Sequence, residues 1–316
     1  MNRLLVLVLF VLLTQIGCEF ASRLHTYPSE ECIDVAVDAK TPMTYAGLSQ
    51  VVAFHKHIIS GAKPEGSTGF ESLMKMDVNT IVCVDGVAPD VKTAREYGIK
   101  TVHIPLKYDS PSASQIFDLT TVVARGRDRG NVYIHCHQGK HRSATVAAIV
   151  SIALGSLTLD EAKARMHVSQ TSEEYKALWE AVEQTEVISV FDLLLNEKVY
   201  PSIVEPEGIT SQMIAIDEAM DNLLRLQHAN WNAPTDHPDL VGVAEAGIIA
   251  DLFRAIQLSE DARQYATDFE TQLVNALHQA SGLEEALLQK LTGNKLDVYM
   301  QRVEQSCINC HSAFRK

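Results

Sequence analysis

The hydrophobic pattern of the chain changes near residue 200, from short alternating segments to long amphipathic ones. Upstream, short β-branched runs alternate with stretches of helical spacing, which is typical of a largely parallel sheet with helices on both faces. The predicted strands are 57–61, 80–84, 100–106 and 132–136. The predicted helices are 66–76, 89–97, 114–127, 143–154, 157–166 and 172–183. This pattern predicts an α/β domain over about residues 40–190.

Downstream, apolar residues recur at spacings of three and four, the pattern of amphipathic helices. The four periodic stretches are 213–224, 240–252, 262–277 and 296–314. Four such helices with short connections predict an all-α four-helix bundle over residues 207–316. The segment 191–206, which contains Pro201 and Pro206, is the predicted linker between the two domains.

The N-terminus has the order of charge and hydrophobicity that is typical of a secretory signal peptide. Arg3 precedes a ten-residue apolar run, 4–13, and a more polar stretch then ends at Gly17. The run is short for a membrane-spanning helix. We therefore predict a signal peptide at residues 1–17 and an exported, periplasmic protein. Cys18 partly matches a bacterial lipoprotein processing site, so lipid anchoring there is an alternative.

Composition allows two globular domains and excludes one class of partner for the second. Hydrophobic residues make up 46% of the 316 positions, which is enough for two cores. The net charge is −13, and residues 201–316 hold 17 acidic and 8 basic side chains. An acidic surface repels phosphate backbones, so we expect no nonspecific nucleic-acid binding by that part.

The strongest chemical pattern of the first domain is His135-Cys136-x5-Arg142-Ser143, between a predicted strand and a predicted helix. At such a turn, backbone N–H groups and the helix N-terminus stabilise both a thiolate and a phosphate. The planar guanidinium of Arg142 can hold two phosphate oxygens. Ser143 is placed to hydrogen-bond the sulfur when it leaves. The loop residues predicted to bind phosphate are His137, Gln138, Gly139, Lys140 and His141.

This loop resembles the signature of the cysteine-dependent protein tyrosine and dual-specificity phosphatases. The resemblance implies that Cys136 attacks phosphorus without help from a metal and that an upstream aspartate is the general acid. Asp109, between a strand and a helix, fits that role better than Asp85 or Asp118. The basic residue at Lys140 is similar to the loop of the tensin-homologue lipid phosphatase, which implies a highly charged substrate. A rhodanese-type sulfurtransferase is disfavoured by the x5-Arg-Ser ending.

Cys83, in a predicted buried strand, has two interpretations. It is either a small core residue or, as in some relatives of these phosphatases, the partner of Cys136 in a reversible disulfide.

The strongest pattern of the second domain is Cys307-Ile-Asn-Cys310-His311, the attachment signature of c-type haem. A redox dithiol is disfavoured because the motif ends a helical pattern instead of following a strand. Its position resembles the cytochrome c′ and c-556 family. The resemblance implies one covalent haem c on Cys307 and Cys310, with His311 as proximal iron ligand. It also makes Met213 a candidate distal ligand, ahead of Met220.

These patterns predict an exported hydrolase, a phosphatase of dual-specificity type, fused to a haem domain that senses redox state or gas. Its expected substrates are phosphorylated proteins, lipids or inositol phosphates. A redox partner or a diatomic gas is expected at the haem, and relatives with this type of bundle often form homodimers. The alternative is an electron-transfer or gas-binding haem protein whose phosphatase-like domain only binds phosphorylated ligands.

Overall fold

The computed structural model describes residues 32–204, 208–235, 237–265 and 267–314. The predicted signal peptide, residues 1–17, and the alternative lipid-anchor site Cys18 lie outside these residues. Both therefore remain predictions.

The N-terminal domain is built on one six-stranded sheet. Its strands are β1 (Met43–Tyr45), β2 (Leu48–His55), β3 (Ile58–Ala62), β4 (Val78–Cys83), β5 (Lys100–His103) and β6 (Asn131–Cys136). The spatial order is β1-β2-β3-β6-β4-β5. The last four strands in that order pair in parallel, whereas β1 with β2 and β2 with β3 pair antiparallel. The predicted mostly parallel sheet is therefore a mixed sheet, because two tight hairpins return the chain directly to the neighbouring strand.

The strands β1 and β2 were not predicted, for a reason visible in their burial. Val51, Val52, Ala53 and Phe54 of β2 are all buried in succession. Such a run has no two-residue alternation, so its period does not distinguish a strand from a buried helix.

Helices cover both faces of the sheet. They are α1 (Gly66–Lys75), α2 (Val91–Glu96), α3 (Ala113–Arg127), α4 (Arg142–Ala153), α5 (Leu159–Val168) and α6 (Lys176–Glu183). Every residue of α4 is buried, because α3, α5, α6 and the sheet surround it. A helix in that position has no solvent face, which explains why its sequence is mainly apolar after Ser143.

The predicted linker follows the edge of the sheet. Its first residues belong to a short helix, α7 (Val190–Leu195), which was not predicted. Farther on, the Pro201 carbonyl accepts a hydrogen bond from the His103 amide at 2.9 Å. The Val204 amide donates to Nδ1 of His103 at 3.0 Å. The segment is thus held against β5.

The C-terminal region is helical. It consists of α8 (Ile209–His228), α9 (Gly242–Leu258), α10 (Thr267–Leu288) and α11 (Asn294–Phe314). Helix α9 packs on α8 and α10, and α11 packs on α10. Leu223, Phe253, Leu273 and Met300, one from each helix, belong to a shared apolar core. Within the described residues, no helix has the length and apolar character needed to cross a bilayer.

The helical domain packs on the N-terminal domain mainly through α9 and α10. Val243 of α9 joins an apolar cluster with Tyr108, Tyr175 and Leu178. The Tyr175 hydroxyl donates to Oε1 of the buried Glu284 on α10 at 2.6 Å. The contact lies beside the carboxyl ends of β4 and β6, where α/β proteins commonly bind ligands.

Candidate active site

The loop 137–141 connects the end of β6 to the first turn of α4 in the middle of the sheet. This geometry aims the N-terminus of a buried helix at the loop, which favours an anion there. Gly139 has a φ of +75°, and a Cβ at this position would lie 2.2 Å from the Ala62 amide nitrogen. The loop therefore requires glycine at this point, because any side chain would strike the backbone of β3.

Cys136 and Ser143 meet at opposite ends of the loop. The Cys136 sulfur lies 3.4 Å from the Ser143 hydroxyl oxygen. Cys136 is 3% exposed and Ser143 is fully buried. A hydroxyl at this distance can donate a hydrogen bond to a thiolate, which stabilises the ionised form.

Arg142 is 2% exposed and both of its terminal nitrogens have partners. Nη1 donates to the Leu106 carbonyl at 3.0 Å and pairs with Oδ2 of Asp251 at 2.6 Å. Nη2 donates to the Tyr108 hydroxyl at 3.2 Å and lies 3.4 Å from Oδ1 of Asp85. Burial alone would lower the pKa of Arg142, but Asp251 and the other acidic neighbours raise it well above its ordinary value. The side chain is therefore a permanent cation.

The histidines around the loop are neutral because they are buried. Burial lowers the pKa of His135 and of His137 to about 4. Burial, helped by the charge of Lys140, lowers the pKa of His141 to about 3. Because these values lie well below 7, the imidazoles carry no charge at neutral pH. Lys140 remains the cationic side chain within the loop, and Gln138 is exposed.

Asp109 lies in the loop between β5 and α3, where its side chain is exposed. Within the described part of the chain, this loop contacts Arg142 through the Leu106 carbonyl and the ring and hydroxyl of Tyr108. Asp109, the predicted general acid, therefore directly follows Tyr108, which contacts Arg142. The two residues belong to the same loop.

A cavity of about 300 Å³ lies over the loop. Cys136, Arg142 and Lys63 line it on the side of the sheet, and Asp251 and Arg254 of α9 line the opposite side. The site is thus formed by both domains.

The arrangement of a strand, a cysteine loop and a buried arginine at the N-terminus of a helix agrees with the family comparison. Residues 47–186 match the family model of the Swiss Army Knife protein DSP-PTPase phosphatase domain. The matched region covers less than half of the chain and contains Cys136, Arg142 and the loop between them. No curated protein matches the chain.

Several solved structures are similar to the chain at low sequence identity. TpbA from P. aeruginosa is 16% identical with a TM-score of 0.40, covering 50% of this chain and 96% of that one. PTPMT1 in complex with PI(5)P is 14% identical with a TM-score of 0.35, covering 43% and 96%. Human DUSP28 is 18% identical with a TM-score of 0.36, covering 46% and 96%.

Three charged residues near the phosphatase loop were not assigned to the site from the sequence. Arg254 pairs through Nη2 with Oδ1 of Asp85 at 2.8 Å and with Oδ1 of Asp251 at 2.6 Å. Together with Arg142 they form a buried network of two cations and two anions. Burial raises the pKa of Asp85, but Arg142 and Arg254 lower it by more, so the pKa of Asp85 lies below its ordinary value. Burial raises the pKa of Asp251, an effect that the same two arginines oppose.

One signal in the sequence points to this network. Helix α9 is strongly apolar, and Asp251 and Arg254 interrupt it three residues apart, on one face. A charged pair on one face of a buried helix needs partners from elsewhere in the fold. The pattern does not identify those partners, because they lie on the other domain.

The haem-type motif of the helical domain lines two adjoining cavities. The larger measures about 520 Å³ and is bordered by Cys307, Cys310 and His311 of α11, Met213 of α8 and Phe253 of α9. The second, of about 340 Å³, also has Met213, Cys310 and His311 in its walls. Met220 lines the larger cavity and not the second one. Both thiols are free, and burial raises the pKa of each. The larger cavity is mainly apolar, although Asp217, Asp221 and Glu304 also line it, and the two free thiols and the imidazole are the groups that a covalently attached porphyrin requires.

Cys83 is buried on β4, where its register partner is His135 on β6, one residue before Cys136. Burial raises its pKa, and both Cys83 and Cys136 are free thiols. The disulfide between them remains a prediction.

Proposed function

We propose that the chain hydrolyses phosphate monoesters through a cysteinyl-phosphate intermediate at Cys136 and carries a covalent haem in its helical domain. The observation that carries the first part is the contact of Cys136 with Ser143 beside a fully buried Arg142, within a phosphatase domain.

The first half of the reaction transfers the phosphoryl group to sulfur. The Cys136 thiolate attacks phosphorus, a phosphorus–sulfur bond forms and the ester phosphorus–oxygen bond breaks. Arg142 and the loop amides balance the charge on the phosphoryl oxygens. Asp109 gives its proton to the departing oxygen, so that the alcohol or phenol leaves neutral.

The second half regenerates the enzyme. The Asp109 carboxylate takes a proton from water, whose oxygen attacks phosphorus as the phosphorus–sulfur bond breaks. The Ser143 hydroxyl stabilises the thiolate that departs. Inorganic phosphate and the starting thiolate result.

The enzymatic proposal is tested by comparing hydrolysis of an aryl phosphate by the wild type and by Cys136→Ser. We expect activity to fall to background, because the serine hydroxyl is far less ionised than a thiol, whereas Cys83→Ala should retain activity. If both variants hydrolyse the ester as the wild type does, the activity does not belong to this site. If the wild type binds inorganic phosphate without hydrolysis, the alternative of a phosphate-binding module is favoured.

The haem is supported by the spacing of Cys307, Cys310 and His311 and by the apolar cavity beside them. The two thiols would hold the group covalently and His311 would bind its iron, with Met213 as the candidate distal ligand. When bound, the group supplies an iron that changes redox state or binds a diatomic gas. Covalent attachment of this type in bacteria takes place outside the cytoplasmic membrane, which supports export.

Expression with haem-maturation machinery tests this part. The absorbance spectrum should show haem that survives acid–acetone extraction, and the Cys307→Ser/Cys310→Ser double variant should lose it. Retention of the haem spectrum by the double variant after extraction would rule out attachment through Cys307 and Cys310, and loss of haem from the wild type on extraction would rule out covalent attachment. Sensing further predicts different turnover with oxidised, reduced and nitric-oxide-bound haem, and equal turnover in all three would exclude it.

A further inference from the structure

The helical domain occupies the position from which a substrate must approach the phosphatase loop. The cavity over Cys136 is bounded by Asp251 and Arg254 of α9 and by Leu277 and Glu284 of α10. Cys136 and Arg142, which also line this cavity, are almost completely buried, at 3% and 2% exposure. A phosphorylated protein cannot reach a sulfur covered in this way, so the observed arrangement is closed to large substrates.

The hydrogen bonds of Arg142 show why the arrangement also opposes phosphate binding. A guanidinium has five N–H donors, and bidentate binding of phosphate uses two of them on one edge. The two donors of Nη1 face the Leu106 carbonyl and Asp251, and those of Nη2 face Tyr108 and Asp85. Nε is buried without a hydrogen-bond partner among the described residues. A phosphate therefore finds one free donor where it needs two.

The charges act in the same direction. Two carboxylates, of Asp85 and Asp251, already balance the two guanidiniums of Arg142 and Arg254. Asp85 belongs to the phosphatase domain, whereas Asp251 comes from the helical domain and makes the shorter contact, 2.6 Å against 3.4 Å. A phosphate dianion that enters this buried network adds uncompensated negative charge.

We propose that the helical domain holds the phosphatase in a closed state, in which Asp251 acts as an internal counter-ion of Arg142 and substrate binds only after α9 moves away. The inference rests on the proposed function and adds the regulation of the same site. The closing contacts are the network around Arg254, the hydrogen bond from Tyr175 to Glu284, and the close packing of Gly247 on Tyr108.

The charge of Asp251 is tested by Asp251→Asn in the full chain. This variant keeps the size of the side chain and removes its negative charge. We expect kcat/KM for a phosphotyrosine peptide to rise about tenfold or more, because a hydrogen bond to a charged group no longer competes with phosphate. Asp268→Asn, an exposed aspartate on α10, is the matched control and should leave kcat/KM unchanged.

The closure itself is tested by a wedge at a position outside the charge network, so that none of the four charged residues is substituted. A Cβ at Gly247 would lie 3.1 Å from Cε2 of Tyr108 and 3.2 Å from Oε1 of Glu284, so Gly247→Leu forces α9 away from the phosphatase domain. Gly282→Leu is the control, because its Cβ would meet Tyr299 at an ordinary 3.7 Å. We expect iodoacetamide to alkylate Cys136 several times faster in Gly247→Leu than in the wild type or the control.

Protection of Cys136 by inorganic phosphate separates this inference from the proposed function. Asp251→Asn should need about tenfold less phosphate to slow alkylation. If it does so while no variant hydrolyses an ester, the closed state stands and the hydrolase proposal fails. If Asp251→Asn shows equal or lower kcat/KM and phosphate affinity, or Gly247→Leu leaves the alkylation of Cys136 unchanged, the closed-state inference is wrong. If Asp251→Asn does not fold, Gly247→Leu decides alone.

Discussion

The buried His135 predicts a specific loss of stability in mild acid. It is 3% exposed at the end of β6, its Nδ1 lies 3.4 Å from the Cys136 carbonyl, and its Nε2 has no partner among the described residues. Burial lowers its pKa from an ordinary 6.5 to about 4. Below pH 6.5 the unfolded chain binds a proton at this histidine that the folded chain does not, so stability falls as the pH falls from about 6.5 to about 4.

The size of the effect follows from the two pKa values. One unit of pH between them corresponds to about 1.4 kcal/mol per proton. A change from pH 7.5 to 5.5 crosses about one such unit, so His135 should account for about 1 kcal/mol of lost unfolding free energy. His141, whose pKa burial lowers to about 3, adds to the loss in the wild type. The comparison must therefore be made between variants.

The assay is urea unfolding at pH 7.5 and pH 5.5. The chain has two tryptophans, so a Trp231→Phe background leaves Trp179 to report on the phosphatase domain. His135→Asn removes the titrating group and should reduce the pH-dependent loss by about 1 kcal/mol at constant m-value. His278→Asn, at an exposed histidine, should leave the loss unchanged. An equal loss in wild type and His135→Asn, within about 0.3 kcal/mol, would refute this account of His135.

Two further predictions concern the loop and the general acid. Asp109→Asn should lower kcat for phenyl phosphate by about 10²- to 10⁴-fold, and much less for an aryl ester whose phenol is strongly acidic, because such a phenol leaves without a proton. Asp118→Asn should change kcat for neither ester. Equal effects of Asp109→Asn on both esters would exclude proton donation by Asp109. Gly139→Ala should abolish hydrolysis and lower the free energy of unfolding in urea by more than about 1 kcal/mol, because its Cβ meets Ala62. Gly155→Ala, also at positive φ but in open space, should lower it by about 1 kcal/mol and retain activity. Loss of activity in both variants would mean that the contact with Ala62 is not the cause.

Local sequence patterns were sufficient to predict the strand and helix on either side of the loop and the long C-terminal helices. The strand before Cys136 and the apolar helix after it were predicted within one residue of β6 and α4, because burial, β-branching and the turn between them all agree. The four long C-terminal helices followed from apolar spacing alone. The hairpin β1–β2 was missed because its longer strand is buried in succession and has no alternation.

The electrostatic surroundings of the site could not be predicted in the same way. Burial lowers the pKa of the histidines of the loop, and the sequence pattern does not contain the packing that buries them. Gly247 lies within the predicted second helix, 240–252, and nothing in that pattern indicates that it packs against Tyr108 of the other domain. Asp251 is more than a hundred residues from Arg142, and periodicity carries no information on pairs so distant in sequence.

Helix α9 has residues in both candidate sites. Asp251 and Arg254 face the phosphatase loop, and Phe253, between them in sequence, borders the cavity beside Cys307 and His311. If the affinity of each cavity for its ligand depends on the position of this helix, the two ligands are thermodynamically linked. A ligand in one cavity then changes the affinity of the other cavity by the same factor as the reverse. If α9 moves as proposed, a phosphate ester bound at Cys136 would therefore change the affinity of the C-terminal cavity for its own ligand.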